Sequence, residues 1–195
     1  IKDSPAVAIR GFMHDTGRNF RPVETLKADI DEMARLKLNA FHWHLTDYPA
    51  WRIQSRKYPV LNDPSKRIKD RDVNDTYTYD QIRDLFRYAR ARHIQIIPEI
   101  DMPGHSTYFK NCFGFPMHDP RGIKILEELL EEFCREIPVE MSPYLHIGAD
   151  EIHIPNGKQF ADRMAAKVKS LGRQPIQWAG NNDLPVSGDS YSQLW

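Results

Sequence analysis

The stretch Tyr144-Leu-His-Ile-Gly-Ala-Asp-Glu-Ile-His153 carries the sharpest chemical signal in the sequence. An apolar run stops at two adjacent carboxylates, Asp150 and Glu151, as a barrel strand does where it opens into an active site. A carboxyl with a like-charged neighbour and partial burial stays protonated closer to neutral pH. That suits general-acid protonation of a leaving oxygen, such as a glycosidic one. Adjacent side chains on an extended strand point opposite ways, so the two are expected to touch different parts of one substrate. A blander reading has Asp150 capping the next helix and Glu151 solvated. Arg18 adds a fork of donors suited to polar substrate groups. Trp178 and Trp195 offer flat apolar faces for a sugar ring, with core packing as the alternative for each.

A rival chemistry is metal-dependent hydrolysis. His42-Trp-His44 puts two imidazoles on one face of a strand, and His105, His146, His153 and Asp150 are further candidate ligands. His42 and His44 precede the polar end of their strand at Asp47, however, and His-x-His alone is not specific. Structural histidines in the interior layers are the favoured reading, with no metal expected.

The elements that would position these groups alternate. Strands are expected at Ala6–Met13, Asn39–Leu45, Ile94–Ile100, the stretch ending at Asp150, Pro175–Trp178 and Ser190–Trp195. Between them, helical spacing marks residues 22–36, a helix opened by the Thr78-Tyr-Asp-Gln81 capping pattern, 121–135, and 157–171 stopped by Gly172. The segments from Tyr48 to Tyr77 and around Cys112 and Met117 read as loops. Strands that are apolar runs between helices indicate a parallel sheet buried on both faces. Asp15 with Arg18, Asp47, Asp101 with His105, Asp150 with Glu151, and Trp178 all fall at strand C-termini, which share one rim in a barrel. The fold expected is α/β, of the (β/α)8 TIM-barrel type, with about six strands present. Residues 1–195 are read as a single partial barrel domain, the remainder expected from further C-terminal sequence. An open doubly wound sheet is the alternative, but no glycine-rich phosphate loop supports it.

The 195 residues carry 27 Lys+Arg against 27 Asp+Glu. This balance argues against nucleic acid as a partner, since a basic excess is the footprint of such proteins. No run of 18 apolar residues exists to span a membrane. Cys112 and Cys134 each read as free buried thiols.

Four ordered motifs carry a resemblance: Arg10-Gly-Phe-Met-His-Asp-Thr-Gly-Arg18, Phe41-His-Trp-His-Leu-Thr-Asp47 with Trp51-Arg52, Pro98-Glu-Ile-Asp-Met-Pro-Gly-His105, and His146-Ile-Gly-Ala-Asp-Glu151. Together they resemble the catalytic domain of glycoside hydrolase family 20, the β-N-acetylhexosaminidases. The resemblance implies a (β/α)8 barrel without a cofactor, acting on terminal N-acetylglucosamine or N-acetylgalactosamine residues of a glycan, in an extracytoplasmic setting. The mechanism implied is retaining and substrate-assisted, outside the usual two-carboxylate scheme. By matching position, Glu151 is the general acid/base and Asp150 holds the 2-acetamido group as its carbonyl oxygen attacks C1. Arg18 binds sugar hydroxyls, Asp47 and His105 support the acid, and Trp178 and Trp195 wall the acetamido pocket. Arg10 and Asp101 are assigned to the scaffold. The family's later strands, which supply a tyrosine and further sugar contacts, would lie beyond Trp195, so a barrel without them is expected to be inactive as it stands. A metal-dependent hydrolase and a catalytically incompetent carbohydrate-binding barrel are the alternatives.

Overall fold

The computed structural model describes residues 4–69, 75–180 and 182–194. Trp195, one of the two tryptophans assigned to the sugar pocket, lies outside the described residues. The chain alternates strand and helix: β1 (Gly11–Asp15), α1 (Val23–Arg35), β2 (Ala40–His44), then a small antiparallel pair β3 (Thr46–Asp47) and β4 (Ala50–Trp51). Next come α2 (Tyr79–Arg90), β5 (Gln95–Glu99), α3 (Thr107–Phe113), α4 (Pro120–Glu136), β6 (Tyr144–His146), α5 (Gly157–Ser170), β7 (Gln174–Ala179) and β8 (Tyr191–Leu194). Six strands form one parallel sheet in the order β1-β2-β5-β6-β7-β8. The sheet is open among the described residues and is a partial α/β barrel.

Helix positions follow from local chemistry. The Thr78 hydroxyl accepts from the Gln81 backbone N–H at 3.2 Å, and Gln81 Oε1 accepts from the Thr78 N–H at 2.8 Å. Losing such a cap typically costs about 0.5–2 kcal/mol. Pro120 occupies the first turn of α4, and the Asp119 carboxylate accepts from the Arg121 N–H. Gly172, at φ 79°, turns the chain out of α5 with no Cβ to oppose it. Leu26 and Ile30 of α1, Ile82 and Leu85 of α2, Leu126 and Leu130 of α4, and Met164 and Val168 of α5 are all fully buried in one apolar layer. Truncating any such leucine to alanine would cost about 2–5 kcal/mol.

The register decides what faces the concave side. Asp15 pairs with His44, His44 with Glu99, Glu99 with His146, and His146 with Ile176. Partners in a parallel ladder project to the same face, and residues two apart on a strand share it. A row of polar side chains therefore crosses four strands at their C-terminal ends, with His42 one layer below His44.

Three expectations need correction. The first strand runs from Gly11 to Asp15, not from Ala6 to Met13. The Arg10 guanidinium bonds the carbonyls of Val7, Ala8 and Lys37, which curls that segment away from the sheet. The segment after Ser106 holds helix α3, whose Tyr108 and Phe109 are buried; Ser106 gives it no side-chain cap, so the usual start signal is missing. The fourth strand stops at His146. Gly148, Ala149 and Glu151 take φ of 65°, 81° and 49°, so Asp150 and Glu151 sit on a folded-back loop and not on an extended strand.

Candidate active site

The floor of the concave face is organised by Glu99, which is fully buried. It meets His44 Nδ1 at 2.5 Å and His42 Nε2 at 2.8 Å, accepts from the Trp178 indole N–H at 2.9 Å, and lies 3.3 Å from His146 Nδ1. Burial opposes its charge, but His44 and His146 outweigh it and hold the carboxyl well below its usual range. Burial likewise works against charge on His44. Attraction to Glu99 and a 2.9 Å bond from Nε2 to Asp47 overcome it, so its pKa lies well above normal. His146, with burial dominant, is pushed down. The floor is thus a paired buried charge network, which needs every member satisfied to be tolerated.

Above it stands the rim. Arg18 bonds Asp15 Oδ2 at 2.8 Å and Asp47 Oδ2 at 3.0 Å. Its Nη2 comes within 3.4 Å of His105 Nδ1. Asp47 is completely buried, so its charge is shared among Arg18, His44 and the Tyr48 N–H. The opposite edge of the His105 ring, Nε2, lies 3.5 Å from Asp150 Oδ2 and 3.3 Å from Glu151 Oε2. The nearness of the Asp150 carboxylate raises the His105 pKa against a smaller opposing effect of burial, and Asp47 adds to the rise. One imidazole therefore stands between Asp47, 3.8 Å from its Nδ1, and the two carboxylates on the other side. The Asp150 side chain is 16% exposed and that of Glu151 49%, so Glu151 lacks the burial expected of it and faces open space.

The loop bearing the pair is pinned from outside. The Trp178 N–H donates to the Gly148 carbonyl, the Leu184 N–H to that of Ala149, and the Glu151 N–H to Asp183 Oδ1, at 3.0, 2.8 and 3.0 Å. Left-handed φ at Ala149, Glu151 and His105 (44°) puts strain at these positions, each costing about 1–3 kcal/mol.

The structure brings Arg18, Asp47, His105, Asp150 and Glu151 together. Trp178 is placed lower, 7% exposed, with its ring against His42 and His146, so it belongs to the floor. Asp150 and Glu151 do not diverge as alternation on a strand requires; the folded loop turns both toward His105. His153 is exposed and outside the cluster. His42, Glu99 and His146 have ligand atoms within 4.8 Å of one another, but the nitrogens that converge there are engaged with Glu99 and the main chain. A cation there would have to displace those bonds. Cys112 and Cys134 are both free. Among the described residues, no helix is long and apolar enough to cross a membrane. Glu99 as hub and His44 as partner of Asp47 were missed in the sequence. The register of paired strands is the signal that finds Glu99, whereas His44 and Asp47 are only three residues apart.

Residues 8–113 match the family model described as glycosyl hydrolase family 20, catalytic domain. A β-hexosaminidase of Porphyromonas gingivalis is 40% identical over 172 residues, covering 77% of this chain and 22% of the relative. One from Vibrio furnissii is 34% identical, covering all of this chain and 41% of the relative. Among solved structures, an exo-β-N-acetylglucosaminidase from Vibrio harveyi in complex with N-acetylglucosamine superposes with a TM-score of 0.84 at 28% identity, over 99% of this chain and 39% of that one. The chain thus spans well under half the length of each.

Proposed function

Because the chain belongs to glycosyl hydrolase family 20, we propose that it carries the catalytic groups of a retaining exo-β-N-acetylhexosaminidase that removes terminal N-acetylglucosamine or N-acetylgalactosamine from glycans. The observation that carries the reading is the meeting of Asp150 and Glu151 at the one imidazole, His105, whose other edge is held by Asp47 and Arg18. Glu151, the more exposed carboxyl, protonates the departing glycosidic oxygen. Asp150 receives the N–H of the 2-acetamido group and orients its carbonyl oxygen toward C1. The C1–O bond breaks as that carbonyl closes an oxazolinium ring, and Glu151 then takes a proton from the water that opens it. A substrate that supplies its own nucleophile explains why two neighbouring carboxyls suffice, without a second one across the sugar. Arg18 binds sugar hydroxyls, and Trp178 with Trp195 borders the acetamido group. The Vibrio harveyi enzyme, solved with N-acetylglucosamine bound, supports the choice of sugar.

The test uses the intact protein and its Glu151→Gln variant on an aryl N-acetyl-β-glucosaminide and the matching aryl β-glucoside. Turnover of the acetamido substrate alone is expected, falling about 10²–10⁴-fold in the variant. Equal turnover of both substrates would remove the acetamido nucleophile, and an active variant would remove Glu151 as the acid.

A further inference from the structure

Beside the catalytic pair lies a carboxyl that this mechanism does not use. Asp101 is 1% exposed, and neither of its carboxyl oxygens has a hydrogen-bond partner among the described residues. Only its backbone N–H is engaged, at 2.9 Å to Thr46 Oγ1. Oδ1 presses against Gly148, where an added Cβ would lie 1.8 Å from it. Asp150 Oδ1 is likewise buried and without a partner among the described residues, as are Tyr108 Oη, His105 Nε2 and His146 Nε2. One oxygen each from Glu99, Asp101 and Asp150 lies within 4.8 Å of the others.

Three carboxylates at that separation cannot all hold a charge at neutral pH without counter-charges. Glu99 has its histidines and the Trp178 N–H, and Asp150 has His105 beside Oδ2. Asp101 has nothing comparable. Burial raises its pKa well above normal, and Asp150, Glu99 and Asp47 push it further; the positive charges that it feels, His44 and Arg18, oppose this without offsetting it, and the Tyr108 hydroxyl is the other ionisable group within its field. A carboxylic O–H on Asp101 would give Asp150 Oδ1 the donor it lacks among the described residues.

We propose that Asp101 is a neutral carboxylic acid whose O–H donates, directly or through one water, to Asp150 Oδ1, making Asp101 the positioning residue that turns Asp150 Oδ2 toward the substrate. The link to catalysis rests on the role given above to Asp150; the proton on Asp101 does not.

The test labels aspartate with ¹³C at Cγ in the intact protein and compares wild type with Asp101→Asn. The resonance absent from the variant is expected at the neutral-carboxyl position at about pH 7 and to stay there from about pH 5 to 8, far above the ordinary aspartate range. A resonance at the ionised position would overturn the proposal. Should Asp101→Asn fail to fold, Asp150→Asn identifies the same signal as the aspartate resonance whose titration moves when the neighbouring charge is removed, while those of distant aspartates stay in place. Kinetics give the second readout. Asp101→Asn retains a neutral N–H donor and is expected within about tenfold of wild-type kcat, while Asp101→Leu, of similar bulk but no donor, loses about a hundredfold in kcat with KM little changed, the size of one mispositioned catalytic contact. Equal activity of the two variants would overturn the donor role. An ionised Asp101 in an active enzyme refutes this inference alone. A neutral Asp101 in a protein that turns over no acetamido substrate refutes the catalytic link together with the proposed function.

Discussion

Replacing Glu99 by glutamine is the most informative perturbation of the floor. The side chain keeps its shape and one acceptor oxygen for the Trp178 N–H, but the charge opposite His44 disappears. Breaking a buried, hydrogen-bonded ion pair costs about 3–5 kcal/mol, because the remaining charge stays buried. Here Asp47 still faces His44 through Nε2 at 2.9 Å, so the lower end, about 3 kcal/mol, is expected. The pH dependence gives the claim its sign. The folded-state pKa of His44 is raised, so its contribution is complete below about pH 6.5, the unfolded value, and fades as pH rises toward the folded value. The folded-state pKa of Glu99 is lowered, so its contribution is complete above about pH 4.3 and fades as pH falls below that toward the folded value. The cost of Glu99→Gln should therefore be greatest between about pH 4.3 and 6.5 and shrink on the alkaline side. Urea unfolding of both proteins at several pH values measures it. A loss below about 1 kcal/mol near pH 6, or one that grows with pH, would refute the view of the floor as a charged pair.

Other outcomes follow from the same geometry. Gly148→Ala would force a methyl within 1.8 Å of Asp101 Oδ1 at a φ of 65°, so thermal melts should show a loss of more than about 1 kcal/mol, together with impaired turnover. Arg18→Lys replaces a fork that spans Asp15 and Asp47 by a single ammonium; steady-state kinetics should show KM raised by about tenfold, with a smaller change in kcat. Asp101→Asn should gain stability relative to wild type as pH rises. The folded pKa of Asp101 is raised, so its contribution is complete below about pH 3.9 and is lost by about 1.4 kcal/mol per pH unit above that, a slope the variant does not have. A stability difference that is flat between about pH 5 and 7 in urea unfolding would contradict it.

How much of this was legible in the sequence depends on the range of the interaction. The helices were readable because their signals are local: the Thr78–Gln81 box and Gly172 act within a few residues, and the buried faces repeat at helical spacing. Helix α3 was not, because Ser106 caps nothing and burial of Tyr108 and Phe109 holds it instead. The rim residues Arg18, Asp47, His105, Asp150 and Glu151 could be found because each follows an apolar strand, which marks a barrel mouth. The floor could not. His42, His44, Glu99 and Trp178 come from three strands, and Glu99 is 79 residues from the tryptophan that donates to it. Nothing local to His42-Trp-His44 distinguishes histidines that serve a carboxylate from histidines that bind a metal. Pairing β2 with β5 in register shows which carboxylate they meet, by setting His44 beside Glu99.

The error over Asp150 and Glu151 has the same physical origin. Alternation holds only while the backbone is extended, and the chain leaves that conformation at Gly148. What keeps it folded back is the following unit: β7 donates to Gly148, and the turn beyond it supplies Leu184 and Asp183 to Ala149 and Glu151. Asp150 and Glu151 are therefore placed by residues more than 25 positions later in the chain as much as by their own strand. A strained loop with two non-glycine left-handed residues persists only when its surroundings over-determine it. Here those surroundings are three hydrogen bonds from outside, the close pack of Gly148 on Asp101, and that of Gly104 on the Asp150 carbonyl, 2.9 Å from where a Cβ would stand. Strain, tight glycine contacts and the buried carboxyl of Asp101 thus converge on the orientation of one side chain, Asp150, as the proposed mechanism requires, since its nucleophile belongs to the substrate and has to be aimed.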